Sequence, residues 1–378
     1  MTELRTNGYG VLPDFRLREL IADGLISGVT DTSVNPSSIN VPISDEVYRI
    51  SGSFLPRDSV FATGERIEDL LKSKTLGARS YDLAHALDCG VTYAIKTQAV
   101  LDLGGLYAYG DPRSTTGRNN LSSRFVVDNV PTYDRVPKGH KGALWYLVRP
   151  RSYPIKLSPG DELSQLRVFN RNTIMGRQQI QRVIKKTPLV REFNDPYHPR
   201  TSFSPIEDSG SIMLTLSFRA DDGGAIGWEA LNNSNVLEFN AKAKYDPRDF
   251  FRPVHARSEE VLFRKGFFYI LSTEQRVVVP PWLSAELRSI EPRLGEFRIH
   301  DAGYIDAGWG WLYPGQGIGR PITLEFIPYE DVIIRPGQLV GEIRYECMSA
   351  EPQMHYDLLS TSGYINQSVA QLPRQFRA

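Results

Sequence analysis

Apolar residues in this chain mostly alternate with polar ones or stand in short unbroken runs, and they fall at helical spacing in one place. Leu17, Leu20, Ile21, Leu25 and Ile26 lie three and four apart and stop near Gly28, which predicts one short amphipathic helix close to the N-terminus. Strands are predicted over 90–103, 143–148, 165–169, 212–218, 261–273, 322–327 and 339–345, each closed by Gly, Pro, Asn or Asp. The 25 prolines and 31 glycines supply that punctuation. Strands at this density with so little helix between them predict a mainly β protein of antiparallel barrels or double sheets, not a parallel α/β sheet.

The same markers occur twice. Arg113-Ser114-x-x-x-Arg118 returns as Arg288-Ser289-x-x-x-Arg293, 288 − 113 = 175 residues later. Upstream, Tyr93 to Thr97 answers Tyr269 to Thr273; downstream, Pro159-Gly160 answers Pro336-Gly337, an offset of 336 − 159 = 177. Ala143-Leu144-Trp145-Tyr146 is matched to Thr323-Leu324-Glu325-Phe326, which sets Trp145 against Glu325. Self-similarity at nearly half the chain length means two related domains, and 378 residues also exceed what one core usually holds. Periodicity fades from Asn170 to Gly210, where Pro188, Pro196, Pro199 and Pro205 follow in quick succession. The linker is placed there, giving an N-terminal domain over 1–195 and a C-terminal, catalytic domain over 201–378.

Charge narrows the partners. Lys plus Arg and Asp plus Glu both number 44, so no net field draws the chain to nucleic acid or to an anionic membrane. Arg171, Arg177, Arg182, Lys185 and Lys186 read as a solvated linker face rather than a nucleic-acid patch. Cys89 and Cys347, in different halves and without a C-x-x-C, are expected to be buried small apolar residues. The N-terminus lacks a charged segment followed by an apolar run, and no run of eighteen apolar residues occurs, so a soluble, cytoplasmic protein is expected. The histidines are His85, His140, His198, His255, His300 and His355; none has a second histidine three or four residues on. The zinc-deaminase signature is missing as well, so no protein-held metal and no zinc are expected.

Candidate chemistry gathers after the second Arg-Ser string. Glycines at 303, 308 and 310 allow backbone to approach a ligand, Asp306 can accept from a sugar hydroxyl and Trp309 offers a flat wall. Arg288 and Arg293 supply fork-shaped donors for phosphate oxygens, with Ser289 between them. Glu325 is the lone carboxylate among Ile322, Leu324 and Phe326, a setting in which it can pass protons. An internal Arg293–Glu325 ion pair is the equally weighted alternative.

Arg288-Ser289-x-x-x-Arg293-Leu294-Gly295, Ala302-Gly303-Tyr304-Ile305-Asp306-x-Gly308-Trp309, Leu324-Glu325-Phe326 and Arg335-Pro336-Gly337-Gln338-Leu339-Val340-Gly341 follow one another in an order that resembles the dCTP deaminases, relatives of the trimeric dUTPases. The stretch Pro36 to Val41 and the tail residues Tyr356, Tyr364 and Gln367 resemble the same family. The resemblance implies two tandem dUTPase-like domains and conversion of dCTP and water to dUTP and ammonia. It implies that Glu325 is the general base and acid, with Ser289 and Arg293 completing the catalytic set. Arg288, Ser289, Ile290, Arg293, Asp306, Trp309, Thr323, Tyr356, Tyr364 and Gln367 would contact nucleotide. Mg2+ would arrive with the triphosphate, dTTP would act as a feedback inhibitor, and the assembly would be a homotrimer or another homo-oligomer. Tyr304 and Gly363 stand where relatives carry arginine and lysine, and Leu312 to Pro321 is an insertion. The first half, with Trp145 taken to fill the base pocket, is expected to be non-catalytic. The competing readings are a dUTPase or bifunctional dCTP deaminase and dUTP diphosphatase, and a nucleotide-sensing or scaffold protein without activity.

Overall fold

A computed structural model describes residues 8–58, 64–194, 203, 209–299, 303–312, 317–359 and 369–377. The chain is mainly β and forms two compact units, neither of them a single stretch of sequence. The first unit comprises Asp14–Arg171, Asn232–Phe250 and Pro373–Ala378; the second comprises Met1–Pro13, Asn172–Leu231 and Phe251–Leu372. No helix among the described residues is long and apolar enough to cross a membrane.

In the first unit the predicted helix runs Asp14–Ala22, with Leu17 inside the core. It stops at Gly24, φ 73°, where the Leu25 N–H donates back to the Leu20 carbonyl at 2.9 Å, an ending that suits glycine. Ile26 therefore leaves the helix and pairs as strand with Leu101. The main strands are β1 (Ile39–Ile50), β2 (Thr92–Asp102), β3 (Tyr107–Pro112), β4 (Leu121–Val126), β5 (Lys141–Pro150) and β6 (Glu162–Phe169). They run β4-β5-β2-β1-β6-β3 in one nine-stranded antiparallel sheet that includes three shorter strands. A register shift between Ile43 and Val47 bends β1 between its two neighbours, a common device for closing a sheet.

The late segments belong to this unit through definite contacts. Leu237–Glu238 pairs in parallel with Ile155–Lys156, and the Phe250 ring meets Tyr153 edge-on at 4.9 Å. The buried Gln375 side chain donates to the Phe239 carbonyl at 2.5 Å and accepts from the Asn119 amide at 3.3 Å.

The second unit is a double sheet. Its strands are β7 (Ile212–Thr215), β8 (Gly227–Ala230), β9 (Phe251–Val254), β10 (Tyr269–Ser272), β11 (Leu283–Arg288), β12 (Phe297–Ile299), β13 (Tyr304–Ile305), β14 (Thr323–Pro328) and β15 (Leu339–Cys347). One sheet has the order β7-β15-β11-β13, the other β9-β8-β10-β14-β12. Leu214, Ala285 and Ile343 from the first pack with Leu271, Leu324 and Phe326 from the second in one core.

One division between the units falls at Arg171/Asn172, at the very start of the 170–210 stretch read as a linker. That stretch instead contains a helix, Arg177–Ile184, whose Ile180 and Val183 are buried in the double-sheet core with Met175, Leu189 and Val190. The Gln179 side chain accepts from the Gly176 N–H at 2.9 Å and so closes the helix start. An apolar pair three residues apart, surrounded by Arg, Gln and Lys, is easily taken for a solvated face.

Sheet register also corrects the internal alignment. Tyr93 and Tyr269 are true equivalents: each hydroxyl accepts the backbone N–H of the residue five earlier, Asp88 or Arg264, at 3.0 Å. Each follows a left-handed glycine by three, Gly90 at φ 81° and Gly266 at φ 76°. Those glycines donate to Pro150 at 2.8 Å and to Pro328 at 2.9 Å. With Pro150 equivalent to Pro328, the counterpart of Glu325 is Leu147, and Trp145 matches Thr323. The Gly266 turn also splits the predicted strand 261–273 into Val261–Phe263 and Tyr269–Ser272. Cys89 is exposed and Cys347 half-buried, against the expectation of burial, because Cys89 lies in the exposed turn that leads into Gly90.

Candidate active site

Side chains alternate along a strand, so Leu324 and Phe326 enter the core and Glu325 faces the other side of its sheet together with Thr323. Directly opposed residues extend that face across four strands as Glu325, Ile270, Trp228 and Pro253. Among the described residues the Glu325 carboxylate thus ends an apolar row, and the residue is only 4% exposed. A charge in that position is costly unless other groups meet it.

The Arg-Ser string leaves the end of β11. Arg288, opposite Glu342 on β15, is exposed, while the Ser289 hydroxyl donates to the Ile299 carbonyl at 2.6 Å. Ile299 pairs with Phe326, so Ser289 is anchored to the strand beside the one carrying Glu325. Ile290 places its side chain in the core, which leaves its backbone as the part able to meet a ligand. Arg293 lies in the turn Pro292–Leu294, where its side chain is 70% exposed and pairs with Glu291 at 2.9 Å. The internal Arg293–Glu325 pair is therefore not formed.

The glycine-rich loop is built by close backbone contacts. A Cβ on Gly303 would stand 2.3 Å from the Leu287 carbonyl oxygen, the group that precedes Arg288. Gly308 takes φ 91°, and a Cβ there would meet the His355 Cβ at 2.7 Å, so only glycine fits. Asp306 is buried at the start of the turn, and the Tyr356 N–H donates to the Ala307 carbonyl at 3.0 Å. The Trp309 and Tyr356 rings meet at 5.1 Å between centroids. The structure thus brings Asp306, Trp309 and Tyr356 to one loop; Tyr364 and Gln367 lie outside the described residues.

Two residues of this loop system were missed from sequence. Arg320 sits inside the insertion, its backbone paired in both directions with Val277 at 3.0 and 2.8 Å. Its guanidinium carbon lies 4.2 Å from the centre of the Trp309 ring, and the side chain makes a fully buried ion pair with Asp357. The Asp357 carboxylate also accepts from the Gly310 N–H at 3.1 Å and the Leu312 N–H at 2.9 Å. Burial pulls the Arg320 guanidinium below its ordinary pKa, and Asp357 and Tyr356 oppose that pull. The sole sequence signal was an arginine between Gly319 and Pro321 beside an apolar strand.

The first unit handles its copy of the string differently. Arg113 pairs with Glu162 at 2.5 Å, Arg118 is buried, and Leu147 occupies the glutamate position within a cluster that includes Trp145, Ala94 and Val126. Among the described residues no group of three or more His, Cys, Asp or Glu is arranged to hold a metal ion.

Fold and site together define a two-unit, mainly β protein whose second unit carries a buried strand glutamate, an arginine-bearing turn anchored to the neighbouring strand, and a glycine-tryptophan loop. Family models for the 2'-deoxycytidine 5'-triphosphate deaminase (DCD) N-terminal domain and C-terminal domain match residues 8–172 and 177–376. The chain belongs to the dCTP deaminase family. Its structure is similar to a crystal structure of 2'-deoxycytidine 5'-triphosphate deaminase from Agrobacterium tumefaciens, with a TM-score of 0.82 and 29% identity over 92% of this chain and 97% of that one. A search of curated proteins returns no match.

Proposed function

We propose that the protein hydrolyses dCTP to dUTP and ammonia with Glu325 as the proton shuttle. The observation that carries this reading is the buried carboxylate at the end of the apolar row on the β14 face, in a chain of the deaminase family. Glu325 takes a proton from water as the oxygen adds to cytosine C4, and delivers a proton to N3. It then moves the proton of the new hydroxyl to the departing amino group, so that the C4–N bond breaks, the carbonyl forms and ammonia leaves. Ser289 and Arg293 complete the set that orients the water. Arg288 and Arg293 hold phosphate oxygens, Asp306 reads the deoxyribose hydroxyl, and Trp309, Thr323, Tyr356, Tyr364, Gln367 and the Ile290 backbone line the nucleotide.

Finer expectations accompany this reading. Arg288 and Arg293 are exposed in the single chain, which supports sites completed by neighbouring copies in a homo-oligomer, a trimer first. Mg2+ arrives on the triphosphate and needs no protein cage. dTTP carries the same triphosphate and deoxyribose without the reactive amino group, which suits it to act as an inhibitor. The reading assigns the protein to the cytoplasm and its first unit to a non-catalytic role. Incubation with dCTP, CTP and dUTP, with ammonia and pyrophosphate followed separately, tests the activity: ammonia from dCTP supports it, and pyrophosphate from dUTP marks a diphosphatase.

A further inference from the structure

We infer that the excursion following Trp309 delivers Arg320 as a positioning residue, which sets the Trp309 ring and the Tyr356-Asp357 turn as one nucleotide-facing unit. The inference rests on the deaminase reading and adds to it a residue and an insertion to which that reading gives no role.

The two described arms of the excursion, 310–312 and 317–320, are bonded to each other. The Gly317 N–H donates to the Trp311 carbonyl at 2.7 Å, and the Gly319 N–H to the Gly310 carbonyl at 3.0 Å. Added Cβ atoms on Gly310 and Gly319 would each stand 2.7 Å from the Val277 carbonyl oxygen. This glycine pair lets the two arms approach closely and brings the next residue, Arg320, under the loop rather than into solvent.

Once there, a single cation serves two elements. It lies against Trp309, at 4.2 Å to the ring centre, and it neutralises Asp357, the residue after Tyr356. Asp357 in turn caps the Gly310 and Leu312 N–H groups. The Tyr356 N–H to Ala307 bond, at 3.0 Å, joins the same two elements a second time. A core needing only bulk at this place is served as well or better by apolar side chains, because burying an ion pair costs more than packing hydrocarbon. The contact geometry ties the pair to the orientation of Trp309 and Tyr356, both assigned to nucleotide contact. Arg320 stands three residues ahead of β14, and the contacts named here run to the Trp309 ring and to Asp357. On this inference, loss of Arg320 is a binding defect and not a chemical one.

The test compares Arg320→Lys, which keeps the charge but not the flat guanidinium, with the charge-balanced double variant Arg320→Gln/Asp357→Asn. Ammonia release gives kcat and KM for dCTP, calorimetric titration gives Kd, and thermal melting reports folding. The inference predicts a KM and Kd raised about 10- to 100-fold with kcat within about threefold of the unmodified protein. Arg320→Lys should be the milder of the two. A KM within about threefold of the unmodified protein in either folded variant overturns it, as does a loss of kcat at unchanged KM. If neither variant folds, the pair is structural and the inference fails. Failure of the deaminase reading looks different: the unmodified protein then releases no ammonia from dCTP, whatever the variants do.

Discussion

Leu147 occupies in the first unit the place that Glu325 occupies in the second, three residues before a proline whose carbonyl receives a glycine N–H. The two strands share register, partner and turn, and differ in whether the central side chain can carry a proton. Leu147 is buried beside Trp145 in an apolar cluster. Leu147→Ala is expected to cost about 2–5 kcal/mol of stability, as for a buried leucine, with little change in KM or kcat of the remaining folded protein. Melting curves beside an ammonia assay check this; a stable but inactive variant would place the first unit in the chemistry.

The two strings of arginines predict opposite phenotypes. Arg293→Ala removes an exposed side chain, so the melting temperature should barely move while dCTP binding weakens about ten- to a hundredfold. Arg118→Ala removes a buried cation and should lower the melting temperature while leaving KM near normal. Parallel melting and titration of the two variants decide the matter, and equal effects on binding would contradict the assignment.

The Arg177–Ile184 helix offers a test of where the units divide. If it is part of the double-sheet core, Ile180→Ala costs about 2–5 kcal/mol in chemical denaturation. A solvated linker would tolerate the change within about 0.5 kcal/mol.

His140 gives the stability a defined pH dependence. Burial pushes its imidazole below the ordinary value of 6.5, partly opposed by the backbone at Gly142 and by Asp128. The folded protein thus holds fewer protons than the unfolded chain just below that value. The contribution is complete above about pH 6.5 and is lost as pH falls through the lowered folded value. His140→Gln removes this slope. Melting temperatures from pH 7.5 down to 5 should converge for the two proteins as pH falls, and parallel curves would contradict the burial argument.

Much of the β architecture was legible because its signals are local. Alternation and turn residues fixed the positions of β2, β5, β14 and β15 to within a few residues, and the paired Arg-Ser, Tyr-to-Thr and Pro-Gly strings marked the repeat. The candidate motifs were legible as far as they lay in ordered strings: Glu325, Ser289 and the Asp306-to-Trp309 turn could be read along the chain. Relations between distant segments could not. The strand partner of Glu325, which identifies Leu147 as its twin, is a property of the ladder and not of the string. Asn232–Phe250 and Gln375 join the first unit through pairing and side-chain contacts that no periodicity announces. Arg320 was passed over for the same reason, since its partner Asp357 lies 37 residues on.

The most direct test of the central claim is the turnover of Glu325→Gln. The amide keeps the shape of the side chain and removes its capacity to exchange protons, so dCTP should still bind with a Kd near that of the unmodified protein. Ammonia release should fall by about two to four orders of magnitude, the usual contribution of a positioned general acid and base. A correctly folded Glu325→Gln protein that deaminates dCTP at nearly the normal rate would contradict the account.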